Sequence, residues 1–407
     1  MNKDIAIIAT LDTKAEETFY VKSLFEDWGR RPVVIDVGAL TPKGIYADFT
    51  NRQVALNAGW KLDDLIAQGQ RARIMDSMGV GAGRILLGLL EEGRLSGVIG
   101  LGGNQGTSIA AAAMQPLPFG LPKCLVSTVA SGNVRPFVGH KDINVVFSVG
   151  DMLAGPNDVT RVVLKNAAAS LDGMLEKGEM ISIDQCRPAV AISELGNTEK
   201  AADRAASILK NKGFQVMPFH ASGAGGSAME ELIEQGHIAG LFDLTPHELS
   251  EEFVGLGSYV PVRPGRMSAA AKMGIPQVVS LGGLEYVCFG PWESIPFKMR
   301  RRKIVMHNPV NANVRLTRAE MTAVGKLMAE RLNKSKGPVA VMAPLGGWSV
   351  YGSPGGPLYD PVGNTLLLKA LKKNLKPEIK YKEIDAHIND PEFVGQCVDR
   401  LLQFLEG

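Results

Sequence analysis

A glycine-rich turn that opens a helix is the part of this sequence best suited to bind an anion. Residues 97–114 read as a short buried strand, the turn GGNQG at 102–106, and an alanine-rich helix opened by Thr107 and Ser108. Glycines let backbone N–H groups approach a ligand, and a helix start offers unpaired N–H donors. This pattern is typical of a phosphate site. It matches neither a Walker loop nor the full dinucleotide fingerprint, and a turn without a ligand is the alternative.

Three charged side chains could serve a nucleotide bound at this turn. Lys14 starts a helix directly after the first predicted strand, so its ammonium could reach a phosphate; a solvated lysine is the alternative. Asp36 ends the second strand, where an acidic residue often binds a ribose hydroxyl, or it is a simple loop carboxylate. Asp12 could hold Mg²⁺, although a single carboxylate is a weak indication.

A second turn of the same kind occurs in the other half of the chain. The letters SGAGGS at residues 222–227 precede a helix, and the absence of a nearby lysine suits a carboxylate or a single phosphate. His220 stands just before this turn and is an acid/base candidate, although a lone histidine is often structural. The residues expected to bind the ligand at this turn are Ser222, Gly223, Gly226 and Ser227.

Other polar residues follow predicted strands in the second half. His307 comes directly after a strand and is a second catalytic candidate, and Asp360, in a glycine- and proline-rich loop, is a candidate base or metal contact. Arg263 and Arg315 could hold a carboxylate or phosphate through their guanidinium groups.

A metal centre and a hydrolase nucleophile are both disfavoured. Asp243, His247 and Glu248 could be considered as metal ligands, but neighbouring positions diverge on a helix, so no metal site is predicted. The four cysteines are scattered and lack zinc or disulfide spacing. The Gly-x-Ser-x-Gly motif of a nucleophile elbow is absent.

Alternating strands and helices must position these residues, and they predict two α/β domains of Rossmann-like, doubly wound type with mostly parallel sheets. Thr13, Gly29 and Gly38 recur at nearly constant offsets in the second half, which indicates an internal duplication. We place the domains at residues 1–182 and 183–407. The first carries an extra, largely helical region at 60–92, which the glycines at 76–83 are expected to break. In such sheets ligands bind beyond the carboxyl ends of the strands.

Composition excludes several classes of protein. A net charge of +2 gives no electrostatic case for nucleic acid or a membrane surface, and no apolar run approaches the length of a membrane span. The predicted strand within four residues of the N-terminus leaves no room for a signal peptide, so we expect a cytoplasmic protein. The apolar stretch at 85–90 suggests a homo-oligomer, or it is core.

The motifs together resemble one family, and they span nearly the whole chain in order. They are LDTK at 11–14, GLGGNQGTS at 100–108, VSTVASG at 126–132, HASGAGG at 220–226, GIPQVVSLGG at 274–283, HNP at 307–309 and PGGPLYDP at 354–361. This bacterial and plant family is typified by the N-terminal region of the tomato tobamovirus-resistance protein, often called an ATP-binding domain.

The resemblance implies two Rossmann-like subdomains, with ATP held by the first, and we expect Mg²⁺ to accompany the ATP. It puts Gly102, Gly103, Gly106, Thr107 and Ser108 at the phosphates, with Thr10, Lys14, Ser127 and Thr128 nearby. Our preferred interpretation is an ATP-dependent ligase or phosphotransferase acting on a small carboxylate or sugar-acid ligand between the domains. The alternatives are a nucleotide-gated regulatory or protein-binding module without turnover, and an NAD(P)-linked oxidoreductase.

Overall fold

The structure is a computed structural model that describes residues 3–44, 46–181 and 187–406. The chain divides into two compact units, Met1–Ser182 and Ile183–Gly407. Each unit is built on its own parallel sheet, and the predicted pair of doubly wound α/β units is confirmed.

The N-terminal unit has a five-stranded sheet in the order β2-β1-β3-β4-β5, with every neighbouring pair parallel. Its strands are apolar runs such as DIAIIA, which is buried on both faces because helices cover both sides of the sheet. The elements are β1 (Asp4–Ala9), α1 (Ala15–Asp27), β2 (Arg31–Asp36), α2 (Asn51–Asn57), α3 (Leu62–Ala67), α4 (Arg71–Glu91), β3 (Leu95–Gly102), α5 (Asn104–Met114), β4 (Lys123–Ser127), α6 (Arg135–Val138), β5 (Asn144–Phe147) and α7 (Asp158–Lys177).

The helix α4 runs unbroken through the glycines that were expected to interrupt it, so that expectation was wrong. Two of these glycines face other helices closely: a Cβ on Gly81 would lie 2.0 Å from the carbonyl oxygen of Val54 in α2, and one on Gly79 would lie 2.8 Å from Cβ of Ala112 in α5. The missing side chains therefore let α4 pack against α2 and α5, and packing outweighs the low helix propensity of glycine.

The apolar stretch in the second half of α4 belongs to the core of the same unit. Ile85, Leu86 and Leu89 are buried in a cluster that also contains Val98 and Ile109. The stretch therefore gives no separate support for self-association, which stays a prediction.

The C-terminal unit has a six-stranded parallel sheet in the order β14-β13-β9-β8-β6-β7 and a separate antiparallel sheet, β10-β12-β11. The elements are β6 (Ala189–Glu194), α8 (Glu199–Asn211), β7 (Gln215–His220), α9 (Ala224–Glu234), β8 (Gly240–Asp243), α10 (Glu248–Val254), α11 (Ala269–Met273), β9 (Gln277–Val279), β10 (Tyr286–Phe289), β11 (Ile304–Asn308), β12 (Asn311–Arg315), α12 (Arg318–Leu332), β13 (Val339–Pro344), α13 (Pro361–Asn374), β14 (Lys380–Ile384) and α14 (Pro391–Glu406).

The two parallel sheets share one topology, as a duplication requires. In both, the first strand lies between the second and the third, and the fourth follows the third. The N-terminal unit inserts α2, α3 and α4 before its third strand, which accounts for the extra helical region expected there. Within the described ranges, none of the helices has the length and apolar character needed to cross a membrane.

Candidate functional site

A cavity of about 530 Å³ lies at the carboxyl ends of β1 and β3 in the N-terminal unit. The strand order reverses between these two neighbours, because β2 lies on one side of β1 and β4 on the far side of β3. Open parallel sheets bind ligands at such a reversal. The lining residues are Thr10, Asp12, Thr13, Lys14, Val37, Ala39, Leu40, Ile66, Arg71, Ile74, Met75, Gly103, Asn104, Gln105, Gly106 and Ile109.

The predicted glycine turn forms one wall of this cavity. Gly103 immediately precedes α5, so the amides of Asn104, Gln105 and Gly106 lie in the first helical turn, where no carbonyl four residues back can accept them. A Cβ on Gly106 would lie 3.3 Å from the Leu101 carbonyl oxygen and 3.9 Å from the Thr10 hydroxyl oxygen, so the turn adjoins the end of β1. The wall therefore offers backbone donors and the positive end of a helix dipole, which favour an anion.

Gly102, Thr107 and Ser127 hold the turn in place from behind. A Cβ on Gly102 would lie 2.4 Å from the amide nitrogen of Thr107, so only glycine fits. The Thr107 hydroxyl oxygen lies 2.8 Å from Oγ of Ser127 and 3.2 Å from the Gly102 carbonyl oxygen, and both hydroxyl side chains are fully buried. These contacts join the ends of β3 and β4 to α5, so the two hydroxyls position the turn rather than face the cavity.

Two further hydroxyl residues of the predicted phosphate site lie beside the turn. Ser108 donates its hydroxyl to the Asn104 carbonyl at 3.0 Å within α5. The backbone N–H of Thr128 donates to the Gly102 carbonyl at 3.2 Å, and its side-chain oxygen would lie 3.7 Å from a Cβ on Gly103. Thr128 therefore adjoins the turn, whereas the Ser108 hydroxyl is already satisfied.

Two cationic side chains line the cavity, and they differ in whether other residues of the chain already bind them. Lys14 lines the cavity, but its ammonium donates to the carbonyl oxygen of Met152. Arg71, the first residue of α4, is exposed, and it forms no ion pair within the described residues. Sequence analysis missed Arg71, because nothing local to it indicates that α4 begins opposite the glycine turn.

Asp36 lies behind the cavity wall rather than in it. Its Oδ1 accepts the backbone N–H groups of Leu11 at 3.1 Å and Gly38 at 2.9 Å, while its Oδ2 is buried without a partner. Burial raises the pKa of Asp36 to about 6, against the effect of the two backbone N–H donors. The neighbouring Asp12 does line the cavity and accepts the Leu40 N–H through Oδ2.

A larger cavity of about 850 Å³ runs along α1 in the same unit and shares Asp12 and Thr13 with the first. Glu17 contributes to it, and one buried oxygen of this carboxylate has no hydrogen-bond partner. Two small molecules bound in these cavities would therefore meet at Asp12 and Thr13.

The glycine turn of the C-terminal unit is occupied by a carboxylate of the chain itself. Glu248 accepts the N–H of Gly223 at 2.5 Å and of Gly226 at 3.1 Å through the same oxygen. The buried Ser227 hydroxyl donates to the Gly223 carbonyl at 2.6 Å, and the partly exposed Ser222 hydroxyl donates to the His220 carbonyl at 3.4 Å. An external anion at the predicted substrate turn would have to displace Glu248.

Glu248 in turn belongs to a buried ionic network around Arg266. Nε of Arg266 lies 2.6 Å from Glu248, and its two terminal nitrogens lie 2.7 Å and 2.8 Å from the carboxylate of Asp243. Glu230 completes the ring at 3.2 Å and accepts the N–H groups that open α11; burial raises the pKa of this carboxyl. The network therefore fills the edge of the sheet that is open in the N-terminal unit.

Among the described residues, the three predicted catalytic residues of this unit each have different neighbours and do not bond to one another. His220 is exposed, and its ring lies 6.3 Å from that of Tyr259. His307 lies within β11 rather than after the strand, where it was predicted; it is also exposed, with Nδ1 2.6 Å from the hydroxyl of Tyr351. Asp360 pairs with Arg318, and this hydrogen bond lowers the pKa of the Asp360 carboxyl. No described hydrogen bond or ion pair joins two of the three candidates.

The two predicted anion-binding arginines also have separate surroundings. Arg263 pairs with Glu234, and its backbone N–H donates to Ser227 at 3.1 Å. Arg315 is buried and donates to Asn364 at 2.5 Å, while its Nε and Nη1 have no partner. Burial lowers the pKa of Arg315. The structure thus gives these residues no shared acceptor.

A cluster that sequence analysis did not assemble lies between α10 and β10. His247, directly before α10, faces Glu251 one helical turn later, with Nε2 3.1 Å from Oε1. Cys288 of β10 adjoins both, and all three side chains are buried. The spacing of four residues between His247 and Glu251 was the available signal, since it places two side chains on one helix face.

Comparison with known proteins identifies the family. Residues 3–180 match the Uncharacterised protein family (UPF0261) N-terminal domain, and residues 187–405 match the C-terminal domain of the same family. The chain belongs to this family. A UPF0261 protein of Clostridium tetani is 39% identical over 407 residues, which are 100% of each chain, and one of Rhizobium meliloti is 34% identical over 97% of this chain and 98% of its own.

The UPF0261 family includes plant proteins with a longer chain. The ToMV resistance protein Tm-1 of Solanum lycopersicum is 37% identical over 319 residues, which are 77% of this chain and 42% of the tomato protein. The resemblance inferred from the motifs is thereby confirmed. The similarity shows the family and the arrangement in two domains, while the ligand and the reaction stay predictions.

Proposed function

We propose that the N-terminal unit binds ATP with Mg²⁺ in the cavity at the carboxyl ends of β1 and β3. The observation that carries the proposal is the position of the glycine turn: the first turn of α5 points into a cavity at the reversal of strand order. The volume of about 530 Å³ lies within the range of about 300–1,000 Å³ that is usual for small-molecule sites.

The lining of the cavity is partly polar and partly apolar, as a nucleotide requires. The polar lining includes the α5 amides, Arg71, Thr10 and Thr13, which suit phosphate oxygens. The apolar lining suits a base and ribose; it consists of Val37, Ala39, Leu40, Ile66, Ile74 and Met75. Asp12 reaches the cavity with Oδ1 free of hydrogen bonds from the described residues, and we propose this oxygen as the Mg²⁺ contact.

Isothermal titration calorimetry of the full chain tests the proposal. We expect Arg71→Ala to weaken ATP binding about 10-fold, because a charge-assisted hydrogen bond contributes about 1.5 kcal/mol. Arg73→Ala is the matched control: this exposed arginine lies two residues further along α4, stacks over Trp60 and does not line the cavity.

A second pair of variants tests the turn itself. Gly103 has φ −78° and ψ −157°, which any residue can adopt, and the atom nearest to an added Cβ, the Thr128 hydroxyl oxygen, is 3.7 Å away, so a side chain can start here without a clash at Cβ. Gly103→Asp should abolish ATP binding by repelling the phosphates, whereas Gly103→Ala should largely retain it. Equal ATP affinity in all four variants would contradict the site, and tighter binding of NAD than of ATP would favour the oxidoreductase alternative.

A second candidate function is transfer of a phosphoryl group to an acceptor. It is favoured by the 850 Å³ cavity, which shares Asp12 and Thr13 with the proposed nucleotide site. A panel of small carboxylates and sugar acids with ATP tests it: ADP release that depends on one compound supports an enzyme. Tight ATP binding without consumption supports the regulatory or protein-binding alternative.

Three expectations accompany the proposal. The small carboxylate ligand of the C-terminal unit would have to compete with Glu248 for the amides of Gly223 and Gly226. Self-association and a cytoplasmic location are proposed from the sequence alone, and light scattering coupled to size exclusion tests the first.

A further inference from the structure

We propose that the C-terminal unit contains a zinc site formed by Nε2 of His247, Oε1 of Glu251 and Sγ of Cys288. The three residues each offer a ligand atom within 4.8 Å of those of the other two, and all three residues are buried. Zinc holds imidazole nitrogen, carboxylate oxygen and thiolate sulfur at about 2.0–2.3 Å, so its ligand atoms lie within about 4 Å of one another. A small inward movement of the side chains completes the set.

Two separate elements bring the ligands together. His247 and Glu251 lie one turn apart at the start of α10, and Cys288 comes from β10. The backbone N–H of Cys288 donates to Glu251 Oε1 at 2.5 Å, which fixes the strand against the helix at the level of the ligands. The other carboxylate oxygen accepts the N–H of Tyr259 at 2.5 Å, so Glu251 is held at both oxygens.

The orientation of the histidine ring is that of a metal ligand. Nδ1 of His247 lies 2.7 Å from the carbonyl oxygen of Gly283, and a carbonyl can only accept, so Nδ1 carries the hydrogen. In the neutral ring the lone pair of Nε2 then faces Glu251 Oε1 at 3.1 Å, and these two acceptors need either a proton or a metal ion between them. Zinc-binding histidines typically donate their second nitrogen to a carbonyl or carboxylate in this way.

Charge balance also permits the ion in so buried a place. Without metal, the cluster is neutral when a proton lies on each of Nε2 and Sγ and Glu251 is ionised. Zinc replaces these two protons, which leave to solvent, and its double positive charge is matched by one carboxylate and one thiolate. Binding therefore adds no net charge to the interior, where an unpaired charge would be costly.

The donor set selects the metal. Sulfur together with imidazole nitrogen favours zinc over Mg²⁺ or Ca²⁺, which prefer all-oxygen ligands. Three protein ligands leave a fourth position, for which the side-chain oxygen of Asn313, 3.2 Å from Sγ, or a water molecule is available. The contrasting possibility is a metal-free cluster in which a protonated His247 pairs with Glu251.

Metal analysis of the full chain distinguishes the zinc site from the metal-free cluster. After removal of metal by a chelator and incubation with zinc, the desalted wild-type protein should retain one zinc ion per chain. Cobalt in its place should give visible bands of tetrahedral geometry and a near-ultraviolet thiolate-to-cobalt band. Cys288→Ser should lose the thiolate band and weaken zinc binding at least about 100-fold, while its hydroxyl can still donate to Asn313.

Matched controls are Cys124→Ser, whose thiol is buried in the N-terminal unit, and Cys397→Ser, whose thiol is buried in α14 of the C-terminal unit. Both should bind zinc and cobalt as the wild type does. If Cys288→Ser does not fold, the cobalt spectra of the wild type and the two controls still show whether a cysteine thiolate binds the metal. A wild-type protein that retains no zinc, or a cobalt spectrum without a thiolate band, would overturn the proposal.

Discussion

Replacing Asp36 by asparagine should stabilise the N-terminal unit at neutral pH and have little effect in acid. The Asp36 carboxyl is 1% exposed, and its Oδ2 has no partner. Asparagine keeps one acceptor oxygen for the N–H groups of Leu11 and Gly38 and removes the buried charge. The change therefore separates the cost of the charge from the benefit of the hydrogen bonds.

The magnitude follows from the pKa of Asp36, which burial raises from 3.8 to about 6. A shift of about two units corresponds to about 3 kcal/mol, at about 1.36 kcal/mol per unit. Because the folded state binds the proton more tightly, its contribution is fully present below pH 3.8 and is lost as the pH rises through about 6. The gain from Asp36→Asn should thus grow from well under 1 kcal/mol near pH 4 to at most about 3 kcal/mol at pH 7.

Thermal unfolding at a series of pH values measures this difference. For a unit of this size, about 3 kcal/mol corresponds to a rise in Tm of about 6–12 °C at pH 7. Hydrogen exchange of the β1 and β2 amides assigns the change to the N-terminal unit rather than to the whole chain.

Asp36→Ala is the matched control, because it removes the charge and the acceptor together. It leaves the N–H groups of Leu11 and Gly38 without a partner and should destabilise the unit even at pH 4. A Tm difference between Asp36→Asn and wild type that does not grow with pH would refute the reasoning.

Two further pairs of variants test the packing. Arg266→Met should destabilise the C-terminal unit by about 3–5 kcal/mol, since it leaves buried carboxylates without their cation. Arg263→Met, at a partly exposed ion pair, should cost about 1 kcal/mol or less. Urea denaturation followed by tryptophan fluorescence compares the two variants. Gly81→Ala should destabilise by about 1–3 kcal/mol because its Cβ would lie 2.0 Å from Val54, and Gly88→Ala in the same helix, with open space around it, should stabilise by about 0.5–1 kcal/mol in calorimetry.

The sequence was a good guide wherever the signal is local. Apolar runs bounded by glycine and proline identified the strands of the two parallel sheets, but not β10 and β12 of the antiparallel sheet. The change from strand to helix was correctly placed near 102–106, but α5 begins at Asn104 rather than at Thr107, so most of the predicted turn is the first turn of the helix. Glycines were a weaker guide inside α4. The prediction used their low helix propensity, but the sequence does not show which helices pack against them.

The candidate sites show the limit of the same reasoning. The sequence identified Thr107 and Ser127 as polar residues near the turn, but only the fold turns both hydroxyls inward to brace it. Arg71 joins the cavity because α4 begins beside it, a fact without a local signature. Likewise the turn at 222–227 has the chemistry to hold a carboxylate, and the fold supplies one in Glu248.

The sequence by itself therefore determined the two α/β units, their origin as an internal duplication and the places where the two glycine-rich stretches join a strand to a helix, because periodicity and turn chemistry act over a few residues. The tertiary structure alone decided that the edge of one sheet is an open cavity and the same edge of the other is filled by Arg266 and its carboxylates. It also brought Cys288 to His247 and Glu251. Such contacts join residues far apart in the chain, and packing of whole elements sets them.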